Sequence, residues 1–555
     1  MAVSENPRIA AEPAVHYRTN GADSMTRTLT TAVVALLMVT AVVAPATAQA
    51  ADSGPLGPEI TAGQEWVRGF NIADDGIMHG STGEPTWIVN TDDPDALSSW
   101  ANASESRAVV RSAGQNRSVV AASPGEMGLT RLAAIFDNGL ATNSYVLSIA
   151  PNRDLTLAEP VSQSSIPTAE NATAPENWQS WRPFGLQSEY PDNGIAYRDS
   201  TNVTTMAQAR QTIGADNVSE TGAGVTVAVI DTGVNHANGT IGLKDNISPE
   251  SKDFVDDETG VESVSDPQGH GSWVASAVAS DPDDTVADET YEGVAPDATI
   301  LGLRVLDEDG SGSTADIAEA VRYAESNDAD VLAMSLGSQR YTPEVASAIR
   351  DACAGNVTTV SVAAGNARMQ GSPYLASPAD TPEDCVVSVA ASNTSDPDTA
   401  GVASFSQLGS DPATTDMSGG VTRGEGIDVT APGMQVNATV ARTDETQRYQ
   451  VLSGTSMAQP LVAGSAAQLL EANSTLVNDS EQTKARLTVT ARRMPQAAEV
   501  EAGHGMVASD RAIADNQTEQ SQADAMDETA QRRDTFWREA GSDGLVSGIL
   551  SRIEA

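Results

Sequence analysis

At 555 residues the chain exceeds one ordinary domain, and its 40% hydrophobic content supports sizeable cores, which excludes a disordered polymer. It carries 31 basic against 76 acidic residues, a formal net charge of −45, and its only lysines are Lys244, Lys252 and Lys484. That balance excludes DNA or RNA binding, which needs a basic footprint. It suits brine, where a Debye length of about 3 Å at 1 M salt removes the self-repulsion, and it favours a monomer.

Residues 1–24 carry no export character, so they read as an upstream extension, with translation starting at Met25. Residues 25–50 read as an export signal. Arg27 gives a basic start, Ala32 to Ala44 is apolar apart from Thr40, and Ala46 to Ala50 supplies small residues for cleavage. The apolar run is too short to span a bilayer and no later run approaches about 20 residues. A secreted protein without a membrane span after signal removal is expected.

Residues 52–175 read as a small α+β unit followed by a linker. Strands are expected at Trp87–Asn90, Ser118–Ala122 and Tyr145–Ile149, and a helix over Asp95–Arg107. Residues 160–180, rich in Ser, Pro, Thr, Ala and Glu without periodicity, form the linker. Residues 180–513 alternate β-branched runs with helical stretches. The runs are Val225–Ile230, Thr299–Val305, Val331–Ser335, Thr358–Ala363 and Val386–Ala390, and helices are expected at Thr314–Glu325 and Pro343–Ala352. Strands buried on both faces and separated by helices predict an α/β fold, a parallel β-sheet flanked by helices. The acidic tail, 514–555, closes on one apolar helical face of Leu545, Val546, Ile549, Leu550 and Ile553.

The two cysteines, Cys353 and Cys385, each precede a β-branched run. If those strands are parallel neighbours, both sulfurs start at one sheet edge, and an exported chain can oxidise them. A disulfide is expected, with two separate buried thiols as the alternative.

Three local motifs carry chemistry. The strand ending at Ile230 delivers Asp231-Thr232-Gly233 to the carboxyl edge of the sheet, where α/β sheets bind ligands. An aspartic-protease reading fails, because it needs a second equivalent carboxylate and the nearest match, Asp52-Ser53-Gly54, lies at the signal cleavage site. His270, between Gly269 and Gly271, opens a small-residue apolar helix and is placed to accept a proton. Ser456, in Ser453-Gly454-Thr455-Ser456-Met457-Ala458-Gln459-Pro460, sits at the start of another apolar helix, where the dipole favours developing negative charge. Pro460 is expected in that helix's first turn, where a missing N–H costs little.

The order Asp, His, Ser resembles the subtilisin family of serine peptidases. The likeness spans about residues 185–513 and includes Gly293 to Ala298, Val305-Leu306-Asp307, Ser335-Leu336-Gly337, Ala363-Ala364-Gly365-Asn366 and Gly503-His504-Gly505. An α/β-hydrolase esterase would run Ser, acid, His and does not fit. The resemblance implies a secreted serine endopeptidase with Ser456 as nucleophile, His270 as base and Asp231 orienting the imidazole. It implies an oxyanion hole from the Asn366 amide and the Ser456 N–H. It also implies that Gly310-Ser311-Gly312 and Ser335-Leu336-Gly337 pair with extended protein or peptide substrates, with broad specificity.

Departures from the family are Trp273 and Leu461, where histidine is common, and Ala333, often asparagine. By position and size, 52–175 resembles an inhibitory, chaperone-like propeptide. No cofactor is required for the chemistry. Family members often bind structural calcium, and acidic loops such as Asp253 to Glu258 and Asp281 to Asp284 offer oxygens, but so acidic a chain forms such clusters by composition and no metal ligands are assigned.

Overall fold

The computed structural model describes residues 77–158, 160–161 and 202–514, with internal gaps of which 128–139, 236–241, 410–425 and 441–448 are the longest. The expected export signal, most of the linker and the amphipathic tail lie outside the described residues.

The N-terminal part is a four-stranded antiparallel sheet. Its elements are β1 (Thr86–Thr91), α1 (Pro94–Asn102), β2 (Ala108–Ser112), β3 (Arg117–Ala121) and β4 (Val146–Pro151), in the strand order β2-β3-β1-β4. Helix α1 begins where the Asp93 carboxylate accepts from Ala96 N at 2.9 Å, with Pro94 at the first helical position. Trp87, Val89, Leu97 and Val120 close a small core, and Trp87 Nε1 donates to Ala122 O at 2.8 Å. The helix predicted through Arg107 ends at Asn102. The Arg107 guanidinium folds back 4.3 Å over the Trp100 ring and its Nε pairs with Glu126 at 3.0 Å, and this tertiary contact overrides the helical spacing.

The larger part is built on β6 (Thr226–Asp231), β7 (Lys252–Asp253), β8 (Glu258–Thr259), β9 (Thr299–Arg304), β11 (Val331–Met334), β13 (Thr359–Ala363), β14 (Val386–Ser392) and β15 (Val429–Pro432). Two short strands, β10 (Ser311–Ser313) and β12 (Leu336–Gly337), stand outside this sheet. Its order is β15-β14-β13-β11-β6-β9-β7-β8, parallel except for the edge strand β8. The central strands are buried along their length, as the β-branched runs demand. The helices are α2 (His270–Ala279), α3 (Thr314–Ser326), α4 (Pro343–Ala354) and α5 (Thr455–Ala472). Helices α2 and α5 are almost wholly buried, pack on each other and run against the sheet. The predicted α/β class holds. Strand β15 went unpredicted, since four residues ending in proline give little pattern to read.

Cys353, near the end of α4, is bonded to Cys385 just before β14, with Cα atoms 5.9 Å apart. Because β13 and β14 are parallel neighbours, both cysteines enter the sheet at the same edge.

Candidate active site

Asp231 is the last residue of β6, a central strand, and is fully buried. Its Oδ1 lies 2.8 Å from His270 Nδ1 and accepts from Thr232 N at 2.8 Å. An imidazole that gives its Nδ1–H to a carboxylate keeps its basic lone pair on Nε2. His270 starts α2, and Gly271 beside it is required by close approach, since a Cβ there would lie 3.1 Å from the Asp231 Cβ and collide with Gly233 O. The sequence reading passed over Asp266, which sets this turn. Its Oδ1 accepts from Thr232 Oγ1 at 2.9 Å and Gly269 N at 2.7 Å, and its Oδ2 from Ser272 N at 2.8 Å and Ser272 Oγ at 2.7 Å. Burial pushes the Asp266 carboxyl up, against the pull of these Gly269 and Ser272 donors.

Ser456 lies in the first turn of α5. Pro460 falls in the second turn, beyond the position predicted for it, so the Ser456 carbonyl loses its usual donor four residues on. The Ser335 hydroxyl donates to that carbonyl instead, at 3.3 Å. Ser335 Oγ shares that one proton with Gln459 Oε1, the nearer acceptor at 2.9 Å, while Gln459 Nε2 donates to Ser361 O at 3.1 Å and Ser361 Oγ to Gln459 O at 3.1 Å. The fully buried Gln459 thus ties the serine's helix to β13 and to the residue between β11 and β12. Ala333 stands opposite Ser361 in the β11–β13 register. Only a contact nearly one hundred residues away in sequence exposes this role, and no local signal gave it.

Asn366 follows β13. Its Oδ1 accepts from Thr455 N and Thr455 Oγ1, both at 2.9 Å, which fixes the amide with Nδ2 facing away. Gly454 makes room, because a Cβ there would sit 3.0 Å from that Nδ2.

The segments Gly310-Ser311-Gly312 and Ser335-Leu336-Gly337 pair here with an extended stretch of the chain itself. Strand β5 (Asp154–Leu157) lies antiparallel between β10 and β12, pairing Gly312 with Leu155 and Gly337 with Thr156. Leu157 N donates to Gly310 O at 2.8 Å and Ala158 N to Ser335 O at 3.2 Å. The Ala158 carbonyl oxygen receives Asn366 Nδ2 and Ser456 Oγ, each at 2.9 Å.

Among the described residues no group of three or more His, Cys, Asp or Glu converges as a metal site. The Asp253 carboxylate is engaged by Arg304 Nη1 at 2.6 Å and by the N–H groups of Val255 and Asp256, so its oxygens are already taken by donors. Residues 282–284 of the second acidic loop lie outside the described residues.

The mostly parallel sheet with Asp231 and His270 at its carboxyl edge defines the subtilisin-like class of α/β proteins. Residues 222–521 match the model of the subtilase family, more than half of the chain, and the chain belongs to that family. It is 34% identical over 289 residues to the serine protease AprX of Bacillus subtilis, covering 47% of this chain and 60% of that protein. It is 31% identical over 307 residues to an alkaline protease of Alkalihalobacillus alcalophilus, covering 54% of this chain and 70% of that one. The chain therefore spans less than two thirds of AprX's own length. Fervidolysin from Fervidobacterium pennivorans, a keratinolytic enzyme related to subtilisin, shares the fold with a TM-score of 0.57 and 21% identity over 82% of this chain and 64% of that one.

Proposed function

We propose that the protein is a secreted serine endopeptidase that hydrolyses peptide bonds in proteins through an acyl-enzyme, with broad specificity and adaptation to salt. Ser456 attacks the carbonyl carbon, and His270 takes its proton and returns it to the leaving amine. Asp231 orients the imidazole and stabilises the imidazolium. Asn366 Nδ2 and the Ser456 N–H steady the oxyanion. Residues 180–513 form the catalytic domain, and 52–175 serve as the chain's own propeptide, inhibitor and folding aid, after a signal at 25–50. The observation that carries this reading is the Ala158 carbonyl, met at 2.9 Å by both Ser456 Oγ and Asn366 Nδ2 at the end of an antiparallel strand. Main-chain pairing reads little sequence, which supports broad specificity, and the −45 charge supports salt adaptation.

The test is casein hydrolysis at high and low salt by the processed wild type and by Ser456→Ala. A loss of at least about 10³-fold in the variant is expected, with wild-type activity highest in concentrated salt. A wild type inert at every salt, once freed of residues 52–175, would overturn the reading. Best activity in dilute buffer would overturn salt adaptation alone.

A further inference from the structure

The strand in the groove is treated unequally side chain by side chain. Leu155 and Leu157 are 0% and 3% exposed and belong to the main core cluster, whereas Asp154 and Thr156 face solvent. Alternation of this kind is what β-addition produces, with backbone bonds holding the strand and alternate side chains reading pockets. The hold continues on both sides of the Ala158 carbonyl. Ala158 N is bound by Ser335 O before it, and Val161 N donates to Ser453 O at 2.7 Å after it.

We propose that the Ala158–Glu159 peptide bond is the chain's own cleavage site, and that Leu155, Leu157 and Ala158 define the substrate class: polypeptides with apolar residues four and two positions up to the cut and a small residue immediately before it. This rests on the endopeptidase reading. Ser456 Oγ adds to the Ala158 carbonyl carbon and its proton passes to His270. The carbon–nitrogen bond then breaks as that proton moves to the Glu159 amine, leaving an ester between Ala158 and Ser456. Water hydrolyses the ester, giving a carboxylate on Ala158 and restoring the serine hydroxyl.

The small residue follows from what stands behind the two segments flanking Ala158. A Cβ on Gly337 would come within 3.1 Å of the Ala376 methyl, and one on Gly365 would collide with Gln407 Oε1 and lie 3.2 Å from the same methyl, so that methyl stands beside both segments. Ala376 is fixed there, since its N–H donates to Ala364 O at 3.0 Å and the next residue, Ser377, exchanges two 2.8 Å bonds with Ser338. The Ala376 methyl is then what limits the size of the residue before the cut.

The full-length chain tests this, sampled from the first appearance of processing, with the carboxyl terminus of the released N-terminal fragment read by mass spectrometry. A fragment ending at Ala158 is expected, with the Ser456→Ala chain remaining whole. On peptides, the processed wild type is expected to cut Leu-Thr-Leu-Ala-Glu-Pro-Val after alanine. Its kcat/KM should drop at least tenfold when the first leucine becomes aspartate or the alanine becomes phenylalanine, and Ala376→Gly should recover part of the phenylalanine loss. A first fragment ending elsewhere, or equal rates on all three peptides, would overturn the inference while casein hydrolysis left the endopeptidase reading intact. Absence of both processing and casein hydrolysis would sink the two together.

Discussion

The antiparallel sheet of residues 86–151 and the sheet that starts at Thr226 bury their strands to different depths. In the first, β2 leaves Val109 and Val110 open to solvent at 36% and 47%, and the main cluster holds ten buried side chains among the described residues. In the second, β11, β13 and β14 are buried at every position. The smaller sheet finishes its burial on its neighbour. Ile88, Val119 and Ala150 cluster with Ala315 of α3, and the Asn152 side chain accepts from Ala315 N at 3.1 Å. Arg111 pairs with Asp316 and Glu319 of α3, and Arg117 with Glu344 and Asp351 of α4. A unit this small, with one face lent by another surface, has little stability of its own.

The contrast breaks most visibly at Trp87. Trp87→Ala removes the largest buried side chain of the small cluster and orphans the Ala122 carbonyl, at a cost of about 3–5 kcal/mol. Hydrogen exchange is expected to show β1 to β4 losing protection while β11, β13 and β14 keep theirs. Simultaneous loss in both sheets would show that they form a single cooperative unit.

A smaller effect is expected on the other side. Gln459→Leu removes the amide's bonds to the Ser335 hydroxyl, which keeps only the longer contact to Ser456 O, and to the Ser361 carbonyl, and costs about 1–3 kcal/mol. Because Ser335 also holds Ala158 N, the processed variant should lose about tenfold in kcat/KM toward peptides, a loss of about 1.4 kcal/mol of transition-state stabilisation. Gln459→Asn should recover little, its amide being too short to reach both strands. A variant with lowered melting temperature and unchanged kinetics would make Gln459 a packing residue only.

The smallest effect, and the sharpest in pH, is at the docking face. Arg111 is partly exposed, so Arg111→Ala should cost no more than about 1 kcal/mol. Burial pushes both Asp316 and Glu319 up, and Arg111 pulls them back; Asp257 also acts on Asp316, and Lys252 on Glu319. A carboxyl raised in the folded state favours its protonated form. Its contribution is therefore fully present below the ordinary carboxylate range and is lost as pH rises through the raised values. Without Arg111 the rise is greater, so the variant's melting deficit should be widest near neutrality and shrink toward pH 4. An equal deficit at both ends would rule out this electrostatic account.

What the sequence made legible follows the same divide. Runs such as Val225–Ile230 announced buried parallel strands, and Asp231, His270 and Ser456 stood in local motifs dense enough to read. The cysteine pair was legible through its place before two strands. Gln459, Asp266 and the seated Asp154–Ala158 segment were not, because their meaning lies in contacts made elsewhere. Ala158 meets Ser456 across 298 residues. Arg107 shows the reverse failure, a sound helical pattern ended by a distant glutamate.

On the proposed endopeptidase reading, the placement of β5 between β10 and β12 has a kinetic consequence. A segment tethered to its own groove would compete at an effective concentration of about millimolar, so outside polypeptides at micromolar levels would be shut out whatever their affinity for the same pockets. Cutting the tether at the proposed bond would make the segment an ordinary rival whose occupancy falls with dilution, so that release into a large volume would be enough to open the groove.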